Sequence, residues 1–292
     1  MQKVSALKLF HGDALTGTVR CFVRKARIGM KCRLRGRESK EQQCIDAAEA
    51  AKCNLAKSSV YFLTPLSCMS APLLFTYRRC PYAMRARMAL LAAGIAFDAF
   101  EIVLRDKPAA LLAVSAKGTV PVLSLPEGRV IDESWDIVRW ALETHDNQGW
   151  WSRAQSVENM ELLACNDGVF KHHLDRYKYP ERYSEADRYV HRDAATAALL
   201  VSLESRLLSN AYLGGASPCA TDIALFPFVR QFAAVEPDWF SQQRMPAVQV
   251  WLSNWLSSSL FEACMVKLPS QTVLPFLPFA AAKAVHVQAG LH

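Results

Sequence analysis

The sequence predicts a small α/β domain followed by an all-helical domain, and three observations predict it. From Met69 onward, short apolar runs alternate with helical patterns in the order strand, helix, strand, helix, strand, strand, helix. Over residues 150–268 the strand signals stop, and apolar residues recur at spacings of three and four. The 292 residues are 51% hydrophobic and 21% charged, which supplies a sizeable core without disulfide staples.

The α/β elements follow in order. "PLLFTY" is a short apolar run suited to a buried strand. "PYAMRARMALLAAG" reads as a helix with Met84, Met88 and Leu91 on one face, Arg85 and Arg87 pointing elsewhere, and Gly94 just past its end. "FDAFEIV" is a second strand, parallel to the first because a helix crosses between them. "KPAALLAVSA" is a short helix. "VPVLSL" and "RVIDES" are strands joined by Pro126–Glu127–Gly128, and "SWDIVRWALETHD" closes the unit as a helix. That order defines an α/β thioredoxin-like module over residues 70–148. The all-α C-terminal domain, 150–268, contains four periodic segments that begin at Val157, Glu185, Thr221 and Pro246, separated by Pro180, Gly214–Gly215, Pro237 and Pro246. Residues 269–292, rich in proline, read as an irregular tail.

Residues 1–68 stand apart as a basic leader, expected to be disordered or absent from the mature protein. They hold 13 Lys/Arg against 5 Asp/Glu, a net +8, whereas the remaining 21 and 22 leave the rest at −1. Three readings stay open: a transit-like presequence, a nucleic-acid arm lacking interleaved aromatics, or translation that starts at Met69. The near-neutral folded part argues against a nucleic-acid partner, and no apolar run is long enough to span a membrane. The nine cysteines form no C-x-x-C and lack metal-ligand spacing, so free thiols, a cytoplasmic reducing compartment and no metal are expected.

"RRCPYAMRARMAL", residues 78–90, carries the chemistry. Cys80 stands where a helix begins, and there the unpaired N–H groups and the macrodipole favour an anion. Pro81 fits the first turn, and with Tyr82 it orients the helix start. A free thiol titrates near about 8.5, and a helix N-terminus with cationic neighbours can lower that by roughly two units. The competing reading is a small buried hydrophobe. Ala83 occupies the position where a dithiol motif carries its second cysteine, so a mixed disulfide on Cys80 needs an external thiol to resolve it.

With C-P-Y-A, "RARMALLAAGI", "RDKP" and "GTVPVL" before "ESWDIVRWA", residues 72–268 resemble the cytosolic glutathione transferase family, and within it the cysteine-type omega-class and glutaredoxin-2-like members. The resemblance implies glutathione transferase architecture, with glutathione as co-substrate bound between the domains. It implies Cys80 as nucleophile and Pro121 as a cis-proline that leaves the Val120 backbone free to pair with the glutathione peptide. It implies Glu133 and Ser134 at the γ-glutamyl end and Lys107 at the glycyl end. Without the resemblance, Ser134 is simply a helix cap and Lys107 a solvated loop lysine. The implied activity is monothiol transfer or dehydroascorbate reduction. The implied partners are a small or protein-bound thiol or disulfide, with a homodimer as the family expectation. The alternative is a non-catalytic binding or regulatory protein of the same fold.

Two departures stand out. Ala83 pulls the likeness toward omega rather than glutaredoxin-2. Cys219 occupies the Ser/Thr position of the family's helix-capping motif before Asp222, where a weaker acceptor is expected to cost stability, with Thr221 as a candidate substitute. Of the other aromatic and titratable residues, Tyr77 reads as a strand-end aromatic rather than an activator of glutathione. Trp150 and Trp151 read as domain packing. The adjacent His172 and His173 face different sides of a helix and make a poor metal pair.

Overall fold

The computed structural model describes residues 71–276, so the expectations for the leader and for the end of the tail lie outside the described residues. The first layer is β1 (Leu73–Thr76), α1 (Pro81–Ala92), β2 (Phe97–Glu101), α2 (Ala109–Val114), β3 (Val122–Ser124), β4 (Val130–Ile131) and α3 (Ser134–Thr144). The helices that follow are α4 (Trp150–Arg153), α5 (Val157–Cys165), a π-helical turn (Asn166–Phe170) running into α6 (Lys171–Lys178), and α7 (Pro180–Tyr183). Next come α8 (Arg188–Ala195), a second π-turn (Thr196–Leu200), α9 (Val201–Leu207), α10 (Ala220–Ala233), α11 (Pro237–Ser241), α12 (Pro246–Leu256) and α13 (Ser259–Cys264).

The sheet is mixed. β1 and β2 are parallel, β3 and β4 add antiparallel, and a fifth strand, β5 (Val273–Phe276), lies antiparallel on the free edge of β2. Alternation splits β1 between two cores: Leu74 joins the large core under α1 and α3, and Leu73 and Phe75 face a smaller one with Leu111 and Val122. β5 corrects the expectation of an irregular tail over 269–292. Phe276 stacks on Phe97 with centroids 4.8 Å apart, and Pro275 is tolerated because an edge strand does not need every N–H.

α1 departs from the amphipathic helix expected for it. It is wedged between the sheet and the helical domain, and Arg85 and Arg87 are 0% and 1% exposed. Gly94 does terminate it: at φ +67° its N–H donates to Leu91 O and the Ile95 N–H to Leu90 O, which closes the last turn.

α10 is the buried axis of the second domain, and its start shows how the cysteine cap is supported. Cys219 is the cap residue, and its N–H donates to Asp222 Oδ2 at 2.9 Å. The same carboxylate accepts from Leu213 N at 3.0 Å and Trp251 Nε1 at 2.8 Å. Thr221 does not compensate for the soft sulfur: its hydroxyl is buried without a partner among the described residues. Asp222 carries the junction, so Asp222→Ala, which orphans three buried donors, should lower stability by about 3–5 kcal/mol in urea denaturation; a loss below about 1 kcal/mol would contradict this account.

Candidate functional site

Cys80 is the cap residue of α1, with φ −74° and ψ 123°. Its carbonyl accepts the first helical bond from Met84 N at 2.9 Å, and its N–H closes the preceding turn on Tyr77 O at 3.0 Å. This leaves the half-buried thiol at the helix start, where its Sγ donates to Val120 O at 3.7 Å. The Val120–Pro121 bond is cis. Residues forty positions apart in sequence thus share one point on the rim of the sheet.

The thiol does not have the lowered pKa expected from its neighbours. Burial pushes Cys80 up, outweighing the Ala83 and Tyr82 N–H groups and the charges of Arg87 and Lys171. The helix start and the cations act in the expected direction, but desolvation, which depends on remote packing, outweighs them. Tyr82 stands beside it, edge-on to Phe228 at 4.8 Å, with the Lys171 ammonium 5.9 Å from its ring. Burial pushes the Tyr82 phenol up to about 12, so it is neutral at physiological pH.

The start of α3 forms the second part. Glu133 occupies the cap position expected for Ser134, and Ser134 is the first helical residue. The exposed Glu133 carboxylate holds Lys117, which also lies 3.7 Å from Asp132. The Ser134 hydroxyl is buried and accepts from Arg85 Nη1 at 3.2 Å. Lys107 is exposed, and its chain lies over Gly118, where an added Cβ would meet its Cδ and Nζ at 3.3 Å.

Arg85 and Arg87 are structural members of the site that sequence reasoning placed on the wrong face. Arg85 makes a bidentate pair with Asp167 at 2.6 and 2.9 Å and donates twice to Ala224 O, at 3.0 and 3.1 Å. Asp167 is carried by the first π-turn, a kind of helix irregularity often found at functional sites. Arg87 donates to Thr76 Oγ1, to the carbonyls of Tyr77 (3.4 Å) and Arg78 (2.8 Å), and to Cys264 O (3.0 Å). It therefore braces the loop that presents Cys80. The available signal was two arginines embedded in an otherwise apolar helix.

The remaining candidates fall outside this constellation. The Tyr77 hydroxyl accepts from Arg79 at 2.9 and 3.2 Å. Trp150 packs edge-on to Trp255 and Trp151 leans on Trp135, in a packing role. His172 and His173 both approach His191, and His173 Nδ1 lies 2.8 Å from His191 Nδ1. Among the described residues no group of His, Cys, Asp and Glu side chains could hold a metal ion, and no helix is long and apolar enough to cross a membrane.

Two family models match the chain: "Glutathione S-transferase, N-terminal domain" over residues 74–149 and "Glutathione S-transferase, C-terminal domain" over 180–254. A thioredoxin-like sheet with a cis-proline beside a helix-start thiol, backed by an all-helical domain, defines the class, and the chain belongs to the glutathione S-transferase family. Solved structures share the fold. They include URE2P6 from Phanerochaete chrysosporium in complex with oxidized glutathione, at 17% identity and TM-score 0.57, covering 66% of this chain and 94% of that one. A glutathione transferase from Pseudomonas putida with glutathione disulfide bound gives 18% and 0.59, covering 70% and 95%. The Tau-class MiGSTU from mango, Mangifera indica, gives 20% and 0.58, covering 68% and 94%. No curated protein sequence matches the chain.

Two outcomes follow from this geometry. Because the raised Cys80 keeps its proton at neutral pH, alkylation by iodoacetamide should be slower at pH 7 than for a free small thiol. The rate should climb about tenfold per pH unit until it levels above the free-thiol value; a plateau below pH 8 would reverse the sign. Arg85→Met removes the Asp167 carboxylate's charged partner, leaving it only Asn166 Nδ2 at 2.8 Å, and takes both guanidinium donors from the Ala224 carbonyl, so it should cost about 3 kcal/mol or more in urea denaturation. Arg85→Lys should recover only a small part of this, since an ammonium lacks the fork; full recovery would show that charge alone suffices.

Proposed function

We propose that this chain is a glutathione-dependent monothiol thiol-transferase of the cysteine type, with Cys80 as its nucleophile. The observation that carries the reading is the placement of Cys80 at the start of α1 against Val120 O, with Ala83 where a resolving cysteine would stand. Glutathione would lie along the Val120 edge beside Pro121. Its γ-glutamyl ammonium would take Glu133, displacing Lys117, and its γ-glutamyl carboxylate the Ser134 hydroxyl and helix start. Its glycyl carboxylate would meet Lys107.

In the reaction, the Cys80 sulfur gives up its proton and attacks the glutathionyl sulfur of a mixed disulfide. The disulfide bond to the partner breaks, the partner leaves as a thiolate and is protonated, and Cys80 carries glutathione. A second glutathione thiolate attacks that sulfur, forming glutathione disulfide and releasing Cys80. Dehydroascorbate would enter by a different first step: the Cys80 sulfur adds to a carbonyl carbon. A glutathione thiolate attacks that sulfur and expels ascorbate, which takes up a proton, and a second glutathione releases Cys80 as glutathione disulfide forms. The free thiols of Cys165, Cys219 and Cys264 suit a reducing cytoplasm.

A second reading, a binding or regulatory protein of the same fold, is favoured by one observation: the upward shift of Cys80. Turnover of a small glutathione mixed disulfide, coupled to glutathione reductase, separates the two. The proposal expects wild-type turnover that rises from pH 6 to 9 and at least about a hundredfold loss in Cys80→Ser, since removing a nucleophile forfeits most of the acceleration. A folded wild type without turnover would leave the binding role.

A further inference from the structure

The rim around Cys80 carries cations that the described residues leave largely unneutralised. α6 runs past the thiol. Lys171 at its start is within electrostatic reach of Cys80 and 5.9 Å from the Tyr82 ring, and Tyr179, just past its end, is within reach of Arg79. Arg79 immediately precedes Cys80, and its exposed guanidinium donates twice to the Tyr77 hydroxyl. The Tyr179 ring carries two more cations, Arg182 at 4.0 Å and Lys178 at 4.9 Å.

The nearby acids are mostly engaged elsewhere. Asp175 pairs with Lys171, and Glu185 with Arg176 and His191. Arg182 has only the exposed Glu181, at 4.0 Å, and Arg79 and Lys178 have no carboxylate partner among the described residues. Nor are these three loose surface charges. A long side chain laid on an aromatic ring or bound to a phenol is already ordered, so it loses less freedom when it meets an anion. Arg79, Lys178 and Arg182 thus make a preset cationic rim, each held on a tyrosine, beside the one thiol placed to react.

We propose that this rim docks acidic protein segments, so that the preferred substrates are glutathionylated proteins with Asp or Glu flanking the modified cysteine. The inference rests on the thiol-transferase reading and adds the substrate class. Carboxylates beside a disulfide repel an attacking thiolate, and cations at the point of attack offset that repulsion. Rim charges of this kind raise the rate of encounter and make it salt-dependent. One exposed pair changes affinity only a few-fold, so three acting together supply about tenfold.

The test uses three glutathionylated peptides that differ only in the residues flanking the cysteine: Glu, Gln or Lys. Turnover is followed through glutathione reductase, and binding of the same peptides to the full chain carrying Cys80→Ser by fluorescence anisotropy. At about 20 mM salt, kcat/KM should be at least about tenfold higher for the Glu peptide than for the Lys peptide. The two should converge to within about threefold near 0.5 M, where the Debye length falls to about 4 Å. Binding should rank the peptides in the same order. Replacing Arg79, Lys178 and Arg182 together by Gln should bring the Glu-to-Lys ratio below about threefold at low salt, and a change in Cys80 reactivity alone would not move that ratio. Equal handling of the Glu and Lys peptides at low salt overturns the proposal. So does a preference that survives the triple substitution, which would belong to the basic leader. Turnover of no peptide, with the salt-sensitive order of binding kept, would strike the thiol-transferase reading instead and leave the acidic partner standing.

Discussion

The structure depends on two guanidinium groups buried inside one helix. A charged side chain removed from water is costly unless nearly every donor is matched, and α1 meets that condition by drawing on every neighbouring layer. Arg85 takes a carboxylate from the helical domain, a carbonyl from α10 and the hydroxyl at the start of α3. Arg87 takes the carbonyls of the loop before Cys80 and that of Cys264. The same bonds that satisfy the cations tie the sheet to the helices and hold both the Ser134 hydroxyl and the loop before Cys80, so packing and site geometry share one set of constraints.

This arrangement explains why the site is rigid in one part and adjustable in another. Ser134 is buried and held from beneath by Arg85, whereas Glu133, one residue earlier, is exposed and paired only with Lys117. An exposed pair of that kind contributes little on its own, so the Glu133 carboxylate is free to change partners at small cost. The thiol stands between these regimes: the helix start and two cations favour its anion, and the apolar wall around it disfavours the anion more.

Much of this was legible in the amino-acid sequence, for physical reasons that differ by element. Strands β1 to β4, α1 to α3 and the helical second domain show themselves through period and turn residues, whereas the grouping of Val120 and Pro121 with Cys80 comes from the family resemblance of "CPYA" and "GTVPVL" and not from any local pattern. What stayed hidden depends on partners remote in sequence. Arg85 and Arg87 read as a polar face, because nothing local indicates that acceptors at 134, 167, 224 and 264 will surround them. The π-turn carrying Asp167 is invisible to a 3.6-residue period. The unusual cysteine cap at Cys219 is visible in the sequence, but its support comes from Asp222 and not from Thr221, whose hydroxyl has no partner among the described residues. The upward shift of Cys80 is hidden from the sequence because charge can be counted along a chain and burial cannot.

The short strand β5 has a consequence for how the molecule is made. The sheet is begun by residues 73–76 and its exposed margin is covered by residues 273–276, with the whole helical domain synthesised between them. A ribosome-bound chain therefore carries the β2 margin open, as a row of unsatisfied peptide groups, until nearly all of the described protein has emerged. Such margins are where unrelated chains attach themselves. In the folded protein β5 closes that margin, so the segment that arrives late covers an edge laid down early.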